Sequence, residues 1–370
     1  MNTKKPDTSF YLLAALLLSA CGALAADKFD PDPKHQLTRP DDKAADQTKP
    51  VKVFILMGQS NMVGMGDINP ADKPGTLTTL TKTEKRYPFL LDDGGQWTVR
   101  KDVYYYDART KKGSPLSATS NNGNSIGPEV GFGTVMGQLL NEPVLILKSC
   151  IGNRSLGWDL LPPGSERFEA EVTERGGQNV TKVFAGYKDS PDSWVKGTEP
   201  QPIAWYAGKQ YDDDMANAKA ALADLAKIYP DYKGQGYEIV GFVWWQGHKD
   251  QNAAHAARYE QNLARLIPSL RKDYDAPNAK FVLATGCGNP GRESYGLQIA
   301  EAQLAIVDAK KYPAFTGKVK AVDTRDLWRE VDVSPKSQGH HYNRNAETYM
   351  ETGLRLGWAM VELLGPGGAR

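Results

Sequence analysis

The sequence has few cysteines, few histidines and almost no net charge. Three cysteines and five histidines occur among 370 residues, and the spacing of His248 and His255 fits no usual metal-ligand pattern. The 45 basic and 44 acidic residues leave a formal net charge of +1, so the overall charge indicates neither nucleic acid nor a strongly acidic ligand. No repeat of fixed period is visible, which excludes a solenoid or propeller. We expect neither a metal nor a cofactor.

Long hydrophobic runs are also scarce, and the clearest one lies at the N-terminus. Residues 10–20 are apolar and follow a basic start, which is typical of a bacterial secretory signal over residues 1–26. Two cleavage patterns compete there. A lipobox over residues 18–21 would make Cys21 a lipid-modified first residue, whereas small residues at 23–25 fit ordinary secretion. We expect export to the periplasm, to a membrane as a lipoprotein, or to the medium.

The rest of the chain divides into a linker and one domain. Residues 27–50 are rich in Asp, Lys and Pro and nearly free of large apolar residues, which predicts a disordered linker. Residues 51–364 contain five apolar strand patterns separated by helical ones, and this alternation predicts an α/β fold, a three-layer α/β/α sandwich around a central parallel sheet. The predicted strands are Val53–Met57, Val144–Lys148, Ile239–Trp244, Phe281–Ala284 and Val319–Val322.

Two long segments interrupt this alternation and are expected to be loop insertions near the carboxyl edge of the sheet. They cover residues 67–125 and 152–210. Loops of this length in a compact domain are more often functional than accidental, so both are candidates for the substrate cleft. The tryptophans of the second insertion could stack on sugar rings or form a small core. Cys150 and Cys287 each follow a predicted strand, so they could form a disulfide or remain two buried thiols.

A serine stands where the first strand of the domain ends, in Gly58-Gln59-Ser60-Asn61-Met62. A serine at the carboxyl end of a sheet strand, where a helix begins, is where an α/β hydrolase places its nucleophile. The alternative is that Ser60 caps the helix. Two later segments favour the nucleophile, because Trp244-Trp245-Gln246-Gly247 ends another strand on an amide, and His340-His341 precedes the last helix.

These three segments resemble the SGNH-hydrolase superfamily, and within it the sialate O-acetylesterase and carbohydrate esterase family 6 group. The resemblance covers residues 51–364 and implies an SGNH or flavodoxin-like fold. It implies Ser60 as nucleophile, with its own backbone N–H facing the oxyanion, and Gly152 and Gln246 as further oxyanion donors. Gln246 could otherwise satisfy its amide within the sheet. We also expect substrate contacts by Gln59 and Asn61. His248, which departs from the family pattern, could contact substrate or could only adjust the loop.

The phasing of the last segment against the family pattern assigns the general base to His341 rather than His340. A neutral imidazole must accept the serine proton, which predicts one ionisation near neutrality. The acid usual three residues before the histidine is missing, because Gln338 stands there. A backbone carbonyl could orient the ring, or a carboxylate could come from the preceding loop. The loop offers four carboxylates, namely Asp323, Asp326, Glu330 and Asp332.

The resemblance implies a serine esterase that hydrolyses O-acetyl esters on carbohydrates, acetylxylan-esterase-like or sialate-esterase-like. Its partner would be an acetylated polysaccharide or glycan, with a membrane reached only through Cys21. The missing acid and His248, which replaces the family's glutamate, leave an alternative: a carbohydrate-binding protein on the same fold with impaired catalysis.

Overall fold

The computed structural model describes residues 36–174, 176–286 and 288–365. The predicted signal, with Cys21 and both cleavage patterns, lies outside these residues, as does Cys287. No helix in the described part of the chain combines the length and the apolarity needed to cross a membrane.

The five predicted strands alternate with helices, and the two insertions add further short strands. The strands are β1 Val51–Gly58, β2 Gly66–Asp67, β3 Arg100–Asp107, β4 Lys112–Leu116, β5 Ser125–Ile126, β6 Val144–Lys148, β7 Phe168–Thr173, β8 Asn179–Phe184, β9 Ser193–Val195, β10 Tyr237–Trp245, β11 Lys280–Ala284 and β12 Val319–Val322. The helices are α1 Ser60–Val63, α2 Glu129–Leu139, α3 Lys209–Ala223, α4 Leu225–Ile228, α5 Ala253–Asp273, α6 Ser294–Ala305 and α7 Ala346–Leu364.

The central sheet confirms the predicted α/β fold. Within the described residues it has seven strands in the order β12-β11-β10-β1-β6-β3-β4. Every neighbouring pair is parallel except β3 and β4, which are antiparallel at one edge. All five predicted strands belong to this sheet. Because β1 is central and parallel to both neighbours, its carboxyl end lies at the middle of one sheet edge.

Alternate residues of β1 face two different helical layers, as the two-residue period of a strand requires. Val53 and Ile55 are fully buried in a core shared with helices α3 to α6. On the opposite face, the ring of Phe54 lies 5.2 Å from that of Phe132 in α2, edge to face. Both faces of the strand are therefore covered, which explains the nearly continuous apolar run in the sequence.

The second insertion is a small folded unit rather than a plain loop. Strands β7, β8 and β9 form an antiparallel sheet. Trp158, Leu161, Ala185 and Ala207 are buried beneath it as a separate core, against which Trp194 and Trp205 pack. The tryptophans of this insertion thus belong to a small core, which is one of the two roles that the sequence allows.

Residues 36–50, expected to belong to a disordered linker, lie instead against the domain. The backbone N–H of Thr38 donates to Oε1 of Gln138 over 2.7 Å, and Ala45 is buried. The N–H of Asp46 donates to the carbonyl of Asn141 over 2.9 Å. These contacts satisfy polar groups at the C-terminal end of helix α2 and just after it. The composition of residues 36–50 does not reveal these partners.

Cys150, two residues after the end of β6, carries a free and buried thiol. Burial raises the pKa of this thiol, and Lys148 opposes the rise only in part. The thiol is therefore protonated at neutral pH and has little nucleophilic character.

Candidate active site

Ser60 stands on a tight turn between β1 and α1. Gly58 adopts φ +149°, and a Cβ atom there would clash with the carbonyl oxygen of Trp245, so only glycine fits. Gln59 is the N-cap residue and makes no side-chain capping bond, and Ser60 is the first helical residue. The hydroxyl of Ser60 has no hydrogen bond to any described residue. The capping alternative is therefore wrong, and the hydroxyl remains available.

A buried ion pair holds the far end of α1. Nζ of Lys148 lies 2.7 Å from Oε2 of Glu129 and donates to the carbonyl of Val63 over 3.0 Å. The side chains of Lys148 and Glu129 are 2% and 0% exposed. The pair thus ties the last residue of α1 to β6 and α2, which fixes the orientation of the turn that carries Ser60.

Gly152 lies directly opposite Ser60. A Cβ atom on Gly152 would be 3.4 Å from Cβ of Ser60, so the two backbones face each other with no side chain between them. Asn153, where the resembled family usually has glycine, adopts φ +57°, a conformation that Asn tolerates. Among the described residues, the backbone N–H groups of Ser60 and Gly152 have no acceptor. Two backbone donors without an acceptor therefore belong to residues that lie close together at this site.

Gln246 does not point a free amide toward this site. Its Nε2 donates to the carbonyl of Arg154 over 2.9 Å and to Oδ2 of Asp250 over 2.5 Å, with Oε1 of Gln59 at 3.2 Å. Its Oε1 accepts from the hydroxyl of Tyr259 over 2.8 Å. An amide nitrogen has two hydrogens, and both have protein acceptors here. This hydrogen bonding fits the structural alternative, and the role of Gln246 as an oxyanion donor stays a prediction.

Asp250 connects the segment after Gly152 to the end of β10. It is fully buried, and its oxygens accept from the backbone N–H groups of Leu156 and Gly157 over 2.8 and 2.7 Å. Burial raises the pKa of Asp250, while nearby His255 and the donated hydrogen bonds oppose the rise. Asp250 therefore fixes the loop that presents Gly152, and Gln246 is part of the same network.

Gln59 and Asn61, predicted to contact substrate, are 1% and 2% exposed and bonded to protein groups. Oε1 of Gln59 accepts from the backbone N–H of Lys249 over 3.2 Å. Oδ1 of Asn61 accepts from the hydroxyl of Tyr349 over 2.8 Å. Both amides thus bond polar groups of neighbouring loops, and their predicted substrate contact stays a prediction.

The histidine segment folds into an unusual loop before α7. Tyr342, Asn343 and Arg344 have φ values of +51°, +52° and +59°, a conformation that costs roughly 1–3 kcal/mol for each non-glycine residue. The Asn343 side chain donates to the carbonyl of Arg329 and accepts from the N–H of Gln338, both over 2.9 Å. These bonds hold the loop in one strained conformation. Strained backbone of this kind is often found at functional sites.

The loop aligns three imidazole rings. The ring centroids of His340 and His341 are 4.2 Å apart, and that of His248 lies 5.7 Å from His340. Burial lowers the pKa of His341 to about 4, with further lowering by His340, Arg344 and His248. His341 is therefore neutral at physiological pH, the state that can accept a proton. His248 is partly exposed beside the pair, where its predicted substrate contact stays a prediction.

None of the four proposed carboxylates orients His341. Asp323 pairs with Arg325, Asp326 with Arg355, and Glu330 accepts from Trp328, while no hydrogen bond joins Asp332 to the ring among the described residues. Within those same residues, Nδ1 of His341 is buried without a hydrogen-bond partner. The loop backbone and ring packing hold the imidazole, and no carbonyl takes the place of the acid.

Tyr349 joins the serine and histidine segments, and the sequence alone did not single it out. Its hydroxyl donates to Oδ1 of Asn61 and lies 3.2 Å from the carbonyl oxygen of His341. Its position, three residues into α7 and on the buried face, is the only available signal. The sequence signal for Lys148 is clearer, because a lysine in an apolar strand run indicates a buried partner of opposite charge.

The site therefore combines an unbonded serine hydroxyl, two free backbone N–H groups and a neutral histidine on an adjoining loop. Such a set can transfer an acyl group, because it offers a nucleophile, donors for an oxyanion and a proton acceptor. No cluster of three or more metal-ligating side chains occurs in the described ranges.

Comparison with known proteins gives one family match. The profile of a family described as carbohydrate esterase, sialic acid-specific acetylesterase, matches residues 50–185 and 189–362. No curated protein matches the chain. Among solved structures, a protein from Arabidopsis thaliana is 16% identical and covers 84% of this chain and 98% of its own, with a TM-score of 0.47.

Two other solved structures are similar at the same level. A carbohydrate acetylesterase from Xanthomonas citri is 13% identical, with 83% of this chain and 55% of that chain covered and a TM-score of 0.44. NanS is 14% identical, with 85% and 98% covered and a TM-score of 0.42.

Proposed function

The chain belongs to the family of carbohydrate esterases described as sialic acid-specific acetylesterases, and on that basis we propose that it removes O-acetyl groups from a glycan by a serine-histidine mechanism. The observation that carries this proposal is the approach of Gly152 to Ser60, with the backbone N–H groups of both residues free. The acetylated sugar is the substrate class, acetylxylan-like or sialate-like.

In the proposed first step, the Ser60 hydroxyl attacks the acetyl carbonyl while His341 accepts its proton. The N–H groups of Ser60 and Gly152 donate to the oxyanion that forms. The sugar hydroxyl then leaves with the proton from His341, and an acetyl-serine remains. In the second step His341 takes a proton from water, and the resulting hydroxide equivalent attacks the acetyl group. The bond between the acyl carbon and Oγ of Ser60 then breaks, the proton passes from His341 to Oγ, and acetate is released.

The buried Nδ1 of His341, which has no partner among the described residues, favours one alternative. Without a carboxylate the ring is a weaker base in the transition state, and the protein could bind acetylated glycan with little turnover.

Release of 4-nitrophenol from its acetate ester, followed by acetate release from a panel of acetylated glycans, tests the proposal. We expect turnover by the wild type and a loss of about a thousandfold or more in Ser60→Ala, with an unchanged circular dichroism spectrum. A wild-type rate equal to buffer would favour the binding alternative. Retention of more than a tenth of the wild-type rate by Ser60→Ala would remove Ser60 from the mechanism.

A further inference from the structure

A buried histidine lies between the second insertion and the segment that follows β10. His255, in the first turn of α5, is 6% exposed. Its Nε2 lies 3.4 Å from Oδ1 of Asp192, which belongs to the insertion and precedes β9. Its Nδ1 lies 3.8 Å from Oδ1 of Asp250 and has no hydrogen-bond partner in the described part of the chain. One imidazole ring therefore separates two carboxylates from different parts of the sequence.

The loop that presents Gly152 packs directly against this ring. A Cβ atom on Gly157 would be 2.6 Å from Cγ of His255, so any side chain there would displace the imidazole. From the insertion, the ring of Phe184 packs on that of His255 edge to face, with the centroids 6.1 Å apart. The imidazole is thus enclosed by the loop on one side and by the small folded unit on another.

Asp250 needs a positive charge beside it. Its oxygens accept N–H groups from Leu156, Gly157 and Gln246, and such donors favour the ionised carboxylate. An ionised carboxylate that is fully buried is costly unless a cation lies close to it. Among the described residues, His255 is the ion-pair partner of Asp250.

The charged groups around His255 are mainly carboxylates. Besides Asp192 and Asp250, Asp159 also acts on the ring electrostatically, whereas Arg258, three residues later in α5, lies over the ring of Phe168 at 4.8 Å. Burial alone would lower the pKa of His255, but the carboxylates raise it above its ordinary value. The positive end of the α5 dipole opposes a cation here, with an effect smaller than that of a carboxylate at 3.4 Å.

We propose that His255 is a positioning residue, which as an imidazolium joins the insertion to Asp250 and so holds the loop that presents Gly152. Asp250 bonds this loop directly through two backbone N–H groups, and indirectly through Gln246, whose amide donates to the carbonyl of Arg154. Loss of the positive charge leaves the buried carboxylate unpaired, which loosens both the loop and the insertion. That this loosening slows acyl transfer rests on the proposed function.

The titration of His255 tests the charge without any measurement of turnover. Imidazole signals of the wild-type protein are followed by NMR across the neutral pH range, and His255→Gln identifies the signal of His255. We expect its midpoint above the ordinary value of about 6.5. Asp192→Asn should lower the midpoint by about one pH unit, since this carboxylate is close but 45% exposed.

Glu171→Gln is the matched control, because it neutralises an exposed carboxylate of the same insertion, and it should leave the midpoint unchanged. A wild-type midpoint at or below about 6.5 would overturn the proposal. A midpoint that does not move in Asp192→Asn would also overturn it.

Thermal unfolding tests whether the charge supports the packing. Since folding raises the pKa of His255, the stabilisation is fully present below about 6.5 and is lost as the pH rises through the folded value. His255→Gln should therefore lower the melting temperature most at about pH 6 and least above the midpoint that NMR gives. An equal loss on both sides of the midpoint would show packing without charge and contradict the proposal.

Steady-state kinetics test the effect on the site. A displaced oxyanion donor weakens binding of the transition state, so His255→Gln should lower kcat by about tenfold and leave KM nearly unchanged. In the wild type, kcat should fall as the pH rises through the His255 midpoint, and this alkaline fall should be absent from His255→Gln. A fall that persists in the variant would overturn the proposal. An inactive wild type with the expected titration and stability would refute only the proposed function.

Discussion

Replacing Lys148 with methionine tests whether the buried ion pair supports the turn that carries Ser60. Methionine keeps most of the apolar stem of lysine but removes the ammonium group. Glu129, with a side chain that is 0% exposed, would keep its bond from the N–H of Gly127 over 2.8 Å and lose its charged partner. The carbonyl of Val63 would lose its donor as well.

The expected cost is large because both charges are out of contact with water. Removing one partner of a buried pair costs roughly 3–5 kcal/mol, since an uncompensated charge remains. For a domain of this size, that loss lowers the melting temperature by roughly 4–7 °C. Ester hydrolysis should also fall at temperatures where the variant stays folded, because the end of α1 is released.

Thermal and urea unfolding of three variants measures the effect. Lys148→Met should be strongly destabilised, and the double variant Lys148→Met with Glu129→Gln should recover much of the loss. Lys52→Met is the matched control, since Lys52 pairs with Glu238 across neighbouring strands over 2.6 Å but Glu238 is 60% exposed. It should cost at most about 1 kcal/mol. Equal effects of Lys148→Met and Lys52→Met would refute the reasoning.

Three further predictions concern the base, the amide network and the N-terminus. The neutral form of His341 is the active one, and its pKa is lowered to about 4. We therefore expect kcat/KM to rise as the pH increases through about 4, which is below the value near neutrality expected from the sequence. His341→Ala should be inactive and His340→Ala active, and the reverse result would exchange their roles. Gln246→Ala should mainly lower the melting temperature and have a smaller effect on kcat, because the Gln246 amide is bonded to Arg154 and Asp250. A hundredfold fall in kcat at unchanged stability would instead identify Gln246 as an oxyanion donor. If Cys21 is lipidated, a radiolabelled fatty acid should mark the protein and Cys21→Ser should erase the mark, whereas a soluble form beginning at Ala26 would show ordinary secretion.

The sheet could be predicted from the sequence because its parallel strands are buried on both faces and read as apolar runs. The hairpin of β7 and β8 was missed although a signal exists. Residues 168–173 alternate between apolar and polar side chains, and Gly176-Gly177 follows them, a pattern typical of a half-exposed hairpin. The packing of residues 36–50 against the domain could not be predicted, because it depends on hydrogen-bond partners that are distant in sequence, such as Gln138.

The backbone positions of the site residues could be predicted from the sequence, whereas the hydrogen-bond partners of the amide side chains could not. The position of Ser60 at a strand end and of Gly152 after another strand places both at one sheet edge. The partners of Gln59, Asn61 and Gln246 depend on which way each amide turns, and sequence carries no such information.

The central claim, that Ser60 is an acylated nucleophile, is tested most directly by its covalent modification. The protein is incubated with a fluorophosphonate, which phosphonylates activated serines, and the modified residue is located by peptide mass spectrometry. We expect a single labelled serine, Ser60, with labelling that follows the loss of esterase activity in time and is absent from Ser60→Ala. Loss of activity with the label on another residue, or full hydrolysis with Ser60 unlabelled, would contradict the claim.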